Sequence, residues 1–319
     1  MAQLGMTIPL TGIPLSEHRD WFRELVDLGY TDLWSVEAGG TDAFSPLALA
    51  AAWAPEARLG TAIVPAFTRG PATLAMSAAS LAEAAPGRFS LGIGASSNVI
   101  VERWNGIPFE APYQRVKDTV LFLRRALAGE KIEERYASFD VQGFRLQMMP
   151  LAVQPPILVA ALREGMLRLA GRHGDGAILN WLSVEDVRRV APIVHAGGPG
   201  KQIVARLFVI PTADRGLARA IARRAAAAYL TVPVYAAYHE WLGRGEALAS
   251  LWRHWKAGDR KAAVEALPDA VVDDLVIQGP PEACREHVER YREAGVTTPV
   301  LAILHADDLR TAVRQLAPR

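Results

Sequence analysis

The chain has 319 residues, 50 % apolar and 22 % charged, the balance of an ordinary globular protein. A chain this long buries roughly 75 % of its unfolded surface, so its core needs no disulfide or metal staple. With 35 Lys and Arg against 34 Asp and Glu it carries a net charge of +1, which excludes a general nucleic-acid binder, and its one cysteine, Cys284, excludes an internal disulfide or a cysteine-based metal site.

No Lys or Arg precedes Arg19, unlike a secretory leader, and no uncharged apolar run approaches the ~20 residues of a membrane span. The expectation is a cytoplasmic protein with neither nucleic acid nor membrane as partner.

In chain order, apolar runs at 3–10, 30–36, 59–66, 89–95, 157–162, 175–181, 203–210 and 296–304 predict eight strands. They are near-continuous rather than alternating, the pattern of strands buried on both faces in a helix-covered parallel sheet. Gly29, Gly174 and Gly295 stand just before three of these strands, where a helix C-cap takes the left-handed conformation. Eight such strands separated by amphipathic helices predict an α/β fold, a (β/α)8 TIM barrel forming a single domain over 1–319. An open doubly wound sheet is the alternative, weakened by the absence of a GxGxxG fingerprint after the first strand.

Two stretches break the alternation. Residues 131–147 (KIEERYASFDVQGFRLQ) alternate and hold Gln142-Gly143, which predicts a hairpin insertion turning there. Residues 229–270 read as an extra helical insertion, either a lid or interface or an added packing pair. Within it Trp241, Trp252 and Trp255 suit core or a dimer interface, and the basic run 215–224 just before it reads as a solvated helix face.

In a barrel of this kind chemistry sits at the C-terminal ends of the strands. Glu37 follows the 30–36 strand directly, a position for a general acid or base if apolar neighbours such as Trp34 and Trp181 raise its pKa, or else for a solvated or cap-forming glutamate. Asp42 suits a cap for the next helix. Leu162, Arg163, Glu164, Gly165 and Met166 open a helix directly after a strand, where backbone N–H groups and Arg163 suit a phosphate and Glu164 suits ordinary dipole compensation. Gly92-Ile93-Gly94 with Ala95, Ser96 and Ser97 allows close approach of a flat ligand or fills a tight barrel layer. The seven histidines form no HExxH, and neither GxSxG nor a P-loop occurs, so zinc protease, usual serine hydrolase and P-loop chemistry are set aside.

Four blocks in fixed order carry a family resemblance: residues 59–97 (LGTAIVPAFTRGPATLAMSAASLAEAAPGRFSLGIGASS), DTVLFLRRALAGEKI with the hairpin ending GFRL, residues 155–181 (PPILVAALREGMLRLAGRHGDGAILNW) and residues 279–296 (GPPEACREHVERYREAGV). Over essentially its whole length the chain resembles the luciferase-like monooxygenase superfamily, in its coenzyme F420-dependent oxidoreductase branch. The resemblance implies a (β/α)8 barrel, usually a homodimer, that holds a flat tricyclic cofactor at its C-terminal mouth. It implies a non-prolyl cis peptide among Ala62, Ile63 and Val64 as a bulge backing the ring. Gly94, Ala95, Ser96 and Ser97 would touch the ring, and Leu162, Arg163, Glu164, Gly165 and Met166 would turn around the phosphate, with Arg69 or Arg163 meeting an anionic tail.

The chain departs from many relatives in having Ser35-Val36-Glu37-Ala38 where they carry Asp-His, and Ser97 near a glutamate found in some of them. A mechanism built on that histidine does not transfer, which leaves Glu37, a substrate group or water for the proton. The expected function is hydride transfer between C5 of F420 and a small organic substrate. The alternatives are an FMN-dependent monooxygenase and a non-catalytic flavin-binding protein.

Overall fold

A computed structural model describes residues 3–318 of the chain. The apolar runs form β1 (Gly5–Ile8), β2 (Asp32–Ser35), β3 (Arg58–Thr61), the two-residue β4 (Val64–Pro65) and β5 (Phe89–Gly94). A separate hairpin, β6 (Ile132–Arg135) and β7 (Asp140–Phe144), precedes β8 (Ile157–Ala160), β9 (Gly176–Asn180), β10 (Gln202–Pro211), β11 (Ile277–Gly279) and β12 (Thr298–Ile303). The sheet order β12-β1-β2-β3-β5-β8-β9-β10, with β10 paired to both β9 and β12, closes an eight-stranded parallel barrel with surrounding helices, a TIM barrel. The short β11 adds parallel to the outer end of β10 through Val209, Ile210 and Pro211.

The chain divides into two compact units. One holds the residues up to Ile178 together with Ile193–Gln202, and the other holds Leu179–Pro192 together with the residues from Ile203 onward. In the first, β1, β2 and β3 run in register from Gly5↔Asp32 and Asp32↔Arg58, with an Arg58–Asp32 ion pair of 2.5 Å at their start. Gly60 is glycine because a Cβ there would lie 2.3 Å from the Trp34 ring on the neighbouring strand. In the second, the helix Arg215–Leu230 lays Ala218, Ala222 and Ala226 against a buried core that includes Trp181, Phe208, Ile210, Leu248, Leu251 and Val272. Alanines every fourth residue let the helix approach closely along one face.

The predicted 59–66 strand is interrupted. Pairing of β3 with β5 stops at Gly60↔Ser90 and resumes as β4 at Val64↔Ile93, and between them the Ala62 N–H turns to the carbonyl of Ser35 at 2.6 Å. The peptide bonds Ile8–Pro9 and Ala62–Ile63 are cis.

The hairpin exists, but Gln142 and Gly143 lie inside β7 and the chain reverses at 136–139. Tertiary anchoring outweighs the local turn signal. Asp118 accepts from both the N–H and the hydroxyl of Ser138 at 2.9 Å, and Arg115 donates to the Ser138 carbonyl at 3.1 Å. Tyr136 and Phe139 also sit edge-on to Phe122, at 6.3 and 6.1 Å. Gly143 has φ +69°, beside the register shift between Ile132 and Glu134.

The 229–270 excursion is helical, comprising Pro233–His239, a π-turn at Glu240–Arg244, Gly245–Lys256 and Arg260–Glu265. Trp252 and Trp255 pack on the second unit's core, and Trp252 donates to the Leu230 carbonyl at 2.9 Å, so their role is packing. The basic run is not simply solvated. Arg219 reaches Asp269 at 2.7 Å and Asp273 at 3.0 Å, and Arg223 pairs with Asp269, tying the helix Asp269–Leu275 to Arg215–Leu230. Gly29 and Gly295 have the expected positive φ, +92° and +116°, but Gly174 is extended at φ −91°. It is needed there for space, since a Cβ would lie 2.8 Å from the Ala170 carbonyl oxygen.

Candidate active site

Within the first unit, Glu37 leaves the end of β2 and its carboxylate is held on both oxygens. Oε2 accepts from the Ala43 N–H at 3.0 Å, while Oε1 accepts from Arg69 Nη1 at 2.5 Å and the Thr68 hydroxyl at 3.4 Å. Both side chains of the ion pair are mostly enclosed, Glu37 at 15 % and Arg69 at 19 % exposure. Arg69 also lies 5.1 Å over the Phe44 ring and 3.8 Å from Asp42. The expected apolar surroundings of Glu37 are therefore replaced by a cation, a hydroxyl and an amide. Arg69, a candidate for meeting an anionic tail, is engaged here with Glu37.

Asp42 does cap the next helix, its Oδ1 accepting from the N–H of Phe44 at 2.8 Å and of Ser45 at 3.0 Å. Burial works against its charge, but the hydrogen bonds from Ser45 and Phe44 and the charge of Arg69 prevail and hold its pKa below the usual carboxylate value. Glu37, Thr41, Asp42, Arg69, Trp104 and Asn105 line a cavity of about 360 Å³.

The residues expected at the ring come together on adjacent strands. Ala62 and Ile63 are half-buried and Val64 is buried. A Cβ on Gly94 would lie 3.3 Å from the Ile63 side chain and 2.8 Å from the Ala160 Cβ, so glycine is what allows the two strands and Ile63 to close up. Ala95, Ser96 and Ser97 follow, all half-buried, with Ser96 at φ +64°.

The Leu162–Met166 turn lies where β8 gives way to the helix Glu164–His173, whose N-cap is Arg163. That helix start has no side-chain cap; its first backbone bond runs from the Leu167 N–H to the Arg163 carbonyl. Arg163, Glu164 and Gly165 are exposed, and the Glu164 carboxylate is drawn along the helix to Arg168 at 2.5 Å. A Cβ on Gly165 would come within 3.9 Å of the Tyr113 ring, an exposed aromatic beside the turn. The free amide groups and the helix dipole make this an electropositive lip suited to a phosphate.

In the second unit, the end of β9, β10 and the helix Pro233–His239 bring together side chains of which only Trp181 was singled out in the sequence. Asn180 Nδ2 donates to the Tyr235 hydroxyl at 3.0 Å, Trp181 stacks on Phe208 at 4.0 Å, and the Arg206 guanidinium lies 4.8 Å over Phe208. The sequence signal was present in Arg206, one cation inside the apolar run 203–210. Among the described residues, no group of three or more His, Cys, Asp and Glu is arranged to hold a metal ion, and no helix is long and apolar enough to cross a membrane.

A closed parallel barrel with a helix N-terminus and small residues at its strand ends defines a large class of α/β enzymes. Residues 2–298 match the model of the luciferase-like monooxygenase family, and the chain belongs to that family and is an oxidoreductase. It is 26 % identical to a Mycobacterium tuberculosis protein described as a coenzyme F420-dependent oxidoreductase, over 97 % of each chain. It is also 26 % identical to the 5,10-methylenetetrahydromethanopterin reductase of Archaeoglobus fulgidus, over 85 % of this chain and 84 % of that one. The solved coenzyme F420-dependent tetrahydromethanopterin reductase of Methanopyrus kandleri shares the fold with a TM-score of 0.80 at 18 % identity, covering 99 % of this chain and 97 % of the other.

Proposed function

We propose that the chain is a coenzyme F420-dependent oxidoreductase that moves a hydride between C5 of the deazaflavin and a small organic substrate. The observation that carries this reading is the end-to-end similarity to the mycobacterial protein described as F420-dependent.

The residues present fit such a group. Small side chains at Gly94, Ala95, Ser96 and Ser97 beside half-buried Ala62 and Ile63 offer a flat wall, and the uncapped helix start at 163–166 offers donors to a phosphate. When bound, the deazaflavin supplies two-electron hydride chemistry. Ala62, Ile63 and Val64 would back the ring, with Gly94, Ala95, Ser96 and Ser97 along its edge. Leu162, Arg163, Glu164, Gly165 and Met166 would hold the phosphate through their amides and the Arg163 charge.

Glu37 is the proposed proton-handling residue. An ionised carboxylate offers about four acceptor positions. Three are taken by Ala43, Thr68 and Arg69, which fix the group and leave one toward the cavity. The protein is further proposed to work in the cytoplasm and, as the resemblance implies, as a homodimer.

The test is a fluorescence titration of the purified protein with F420 and, in parallel, with FMN. Micromolar or tighter binding of F420 alone is expected. Tight binding of FMN instead would move the protein to the monooxygenases, and binding of neither would overturn the reading.

A further inference from the structure

Trp104 is 58 % exposed, and it lines the cavity of about 360 Å³ beside Glu37. A Cβ on Gly39 would lie 3.5 Å from its ring, so the indole rests close on that glycine, while a Cβ on Gly40 would meet nothing within 4 Å. Among the described residues no other ring and no guanidinium stacks on this indole. A single exposed apolar side chain is ordinary on a protein surface; one that walls a cavity next to a fixed carboxylate offers a ligand a flat contact.

The side-chain donors on the other walls are engaged with protein groups. Arg69 donates to Glu37 at 2.5 Å and lies 3.8 Å from Asp42, the Thr68 hydroxyl donates to Glu37 at 3.4 Å, and the Asn105 amide donates to the Ile100 carbonyl at 2.7 Å. Acceptor capacity is what they leave for a ligand, in the open position of Glu37 and in Asn105 Oδ1. The Thr41 hydroxyl, buried without a partner, serves either way. Charge points in the same direction. Two carboxylates, Glu37 and Asp42, face one cation, Arg69, which leaves the lining with a balance of −1. Against its burial, the hydrogen bonds from Ser45 and Phe44 and the charge of Arg69 keep Asp42 ionised at neutral pH. An anion entering here would lose its water to meet a negative lining, whereas a cation is drawn both to the carboxylates and to the face of the indole.

We propose that the Glu37 cavity takes as its substrate an arylalkyl amine in its protonated form, with Trp104 as the residue that selects it. The aromatic ring and the ammonium lie along the indole face, and an ammonium N–H donates to the open position of Glu37. A cavity of about 360 Å³ suits a ligand of one or two fused rings. The site so drawn depends on Glu37 handling the proton of the substrate, as proposed above.

The test compares three naphthalenes of matched shape, titrated into the full chain without F420 by isothermal calorimetry at pH 7: 2-naphthylmethylamine, a cation; 2-naphthalenemethanol, neutral; and 2-naphthoate, an anion. The amine should bind at least about fivefold tighter than the alcohol, and the carboxylate weakest of the three. Trp104→Leu keeps an apolar wall and removes the π face, so it should reduce the preference for amine over alcohol to less than about twofold, with circular dichroism confirming that the variant is folded. If that variant does not fold, Trp104→Phe takes its place and should lower the preference in part. Equal affinity for amine and alcohol, tighter binding of the carboxylate, no saturable binding of the amine, or an undiminished preference in the folded variant overturns the proposal. A parallel titration with F420 separates the two readings. F420 binding without the amine preference removes the substrate class alone, and the Trp104-dependent preference without F420 binding supports the site and removes the cofactor.

Discussion

Removing the Thr61 hydroxyl should cost more than removing a typical buried methyl group. Where β3 stops pairing with β5, the N–H and C=O of Gly92 lose their strand partners on that side. The Thr61 hydroxyl replaces both, donating to the Gly92 carbonyl and accepting from its N–H, each at 2.8 Å, and Thr61 is fully buried. Thr61→Val keeps the shape and leaves two backbone groups buried without partners, at about 1–3 kcal/mol each. A methyl group cannot sit 2.8 Å from an oxygen, so the strands must also spread by a few tenths of an ångström, which adds to the loss. The expected cost is about 2–6 kcal/mol for Thr61→Val, against about 1 kcal/mol for Thr61→Ser, which keeps the hydroxyl and loses one methyl. Urea unfolding followed by far-UV circular dichroism reads the difference as a shift in midpoint at constant slope. A valine variant within 0.5 kcal/mol of wild type (roughly the scatter for neutral surface changes), or a serine variant as unstable as valine, would refute the reasoning.

Gly92→Ala places a Cβ 1.9 Å from the Thr61 carbonyl oxygen and 2.3 Å from Ile178 Cδ1, so it should lose at least about 3 kcal/mol or fail to fold; a wild-type melting temperature would contradict this. Arg163→Glu, at an exposed N-cap, should leave stability within about 0.5 kcal/mol and weaken F420 binding at least tenfold, and equal affinity in that variant would remove the phosphate assignment. Glu37→Gln should lower kcat at least tenfold while changing F420 affinity less than threefold, whereas unchanged turnover would mean that the proton is handled elsewhere. His239 is fully buried, and burial first, then the charge of Arg244, lowers its pKa from 6.5 to about 4. Between those values the unfolded chain binds the proton and the folded one does not, so stability is complete above pH 6.5 and is lost as pH falls toward 4, by roughly 3 kcal/mol in all. Urea midpoints at pH 7 and pH 4.5 should therefore fall less in His239→Gln than in wild type, and identical slopes would exclude the histidine as the cause.

The strands were legible because burial on both faces writes itself as unbroken apolar runs, and each predicted run overlaps an observed strand. The errors share one cause. Local composition records which face is buried but not which partner waits there. Gln142-Gly143 is a sound turn signal by itself, and it lost to Asp118, which holds Ser138 across 20 residues of sequence. Arg219 and Arg223 look solvated until Asp269, 50 and 46 residues later, closes on them. Gly174 carries the same helix-glycine-strand pattern as Gly29 and Gly295, yet it answers to a close carbonyl rather than to a left-handed turn.

Glu37 makes the same point at the site. Its position after β2 follows from the strand pattern, whereas its chemistry depends on Arg69, 32 residues away, which the parallel pairing of β2 with β3 brings within 2.5 Å. An apolar pocket was the expected surrounding, and a cation, a hydroxyl and an amide stand there instead. The residue type and its place after β2 were readable, and the partners that hold its carboxylate were not. Loop carboxylates at strand ends are therefore an undependable sequence signal for a site, since any loop can supply them and only the fold decides what they meet.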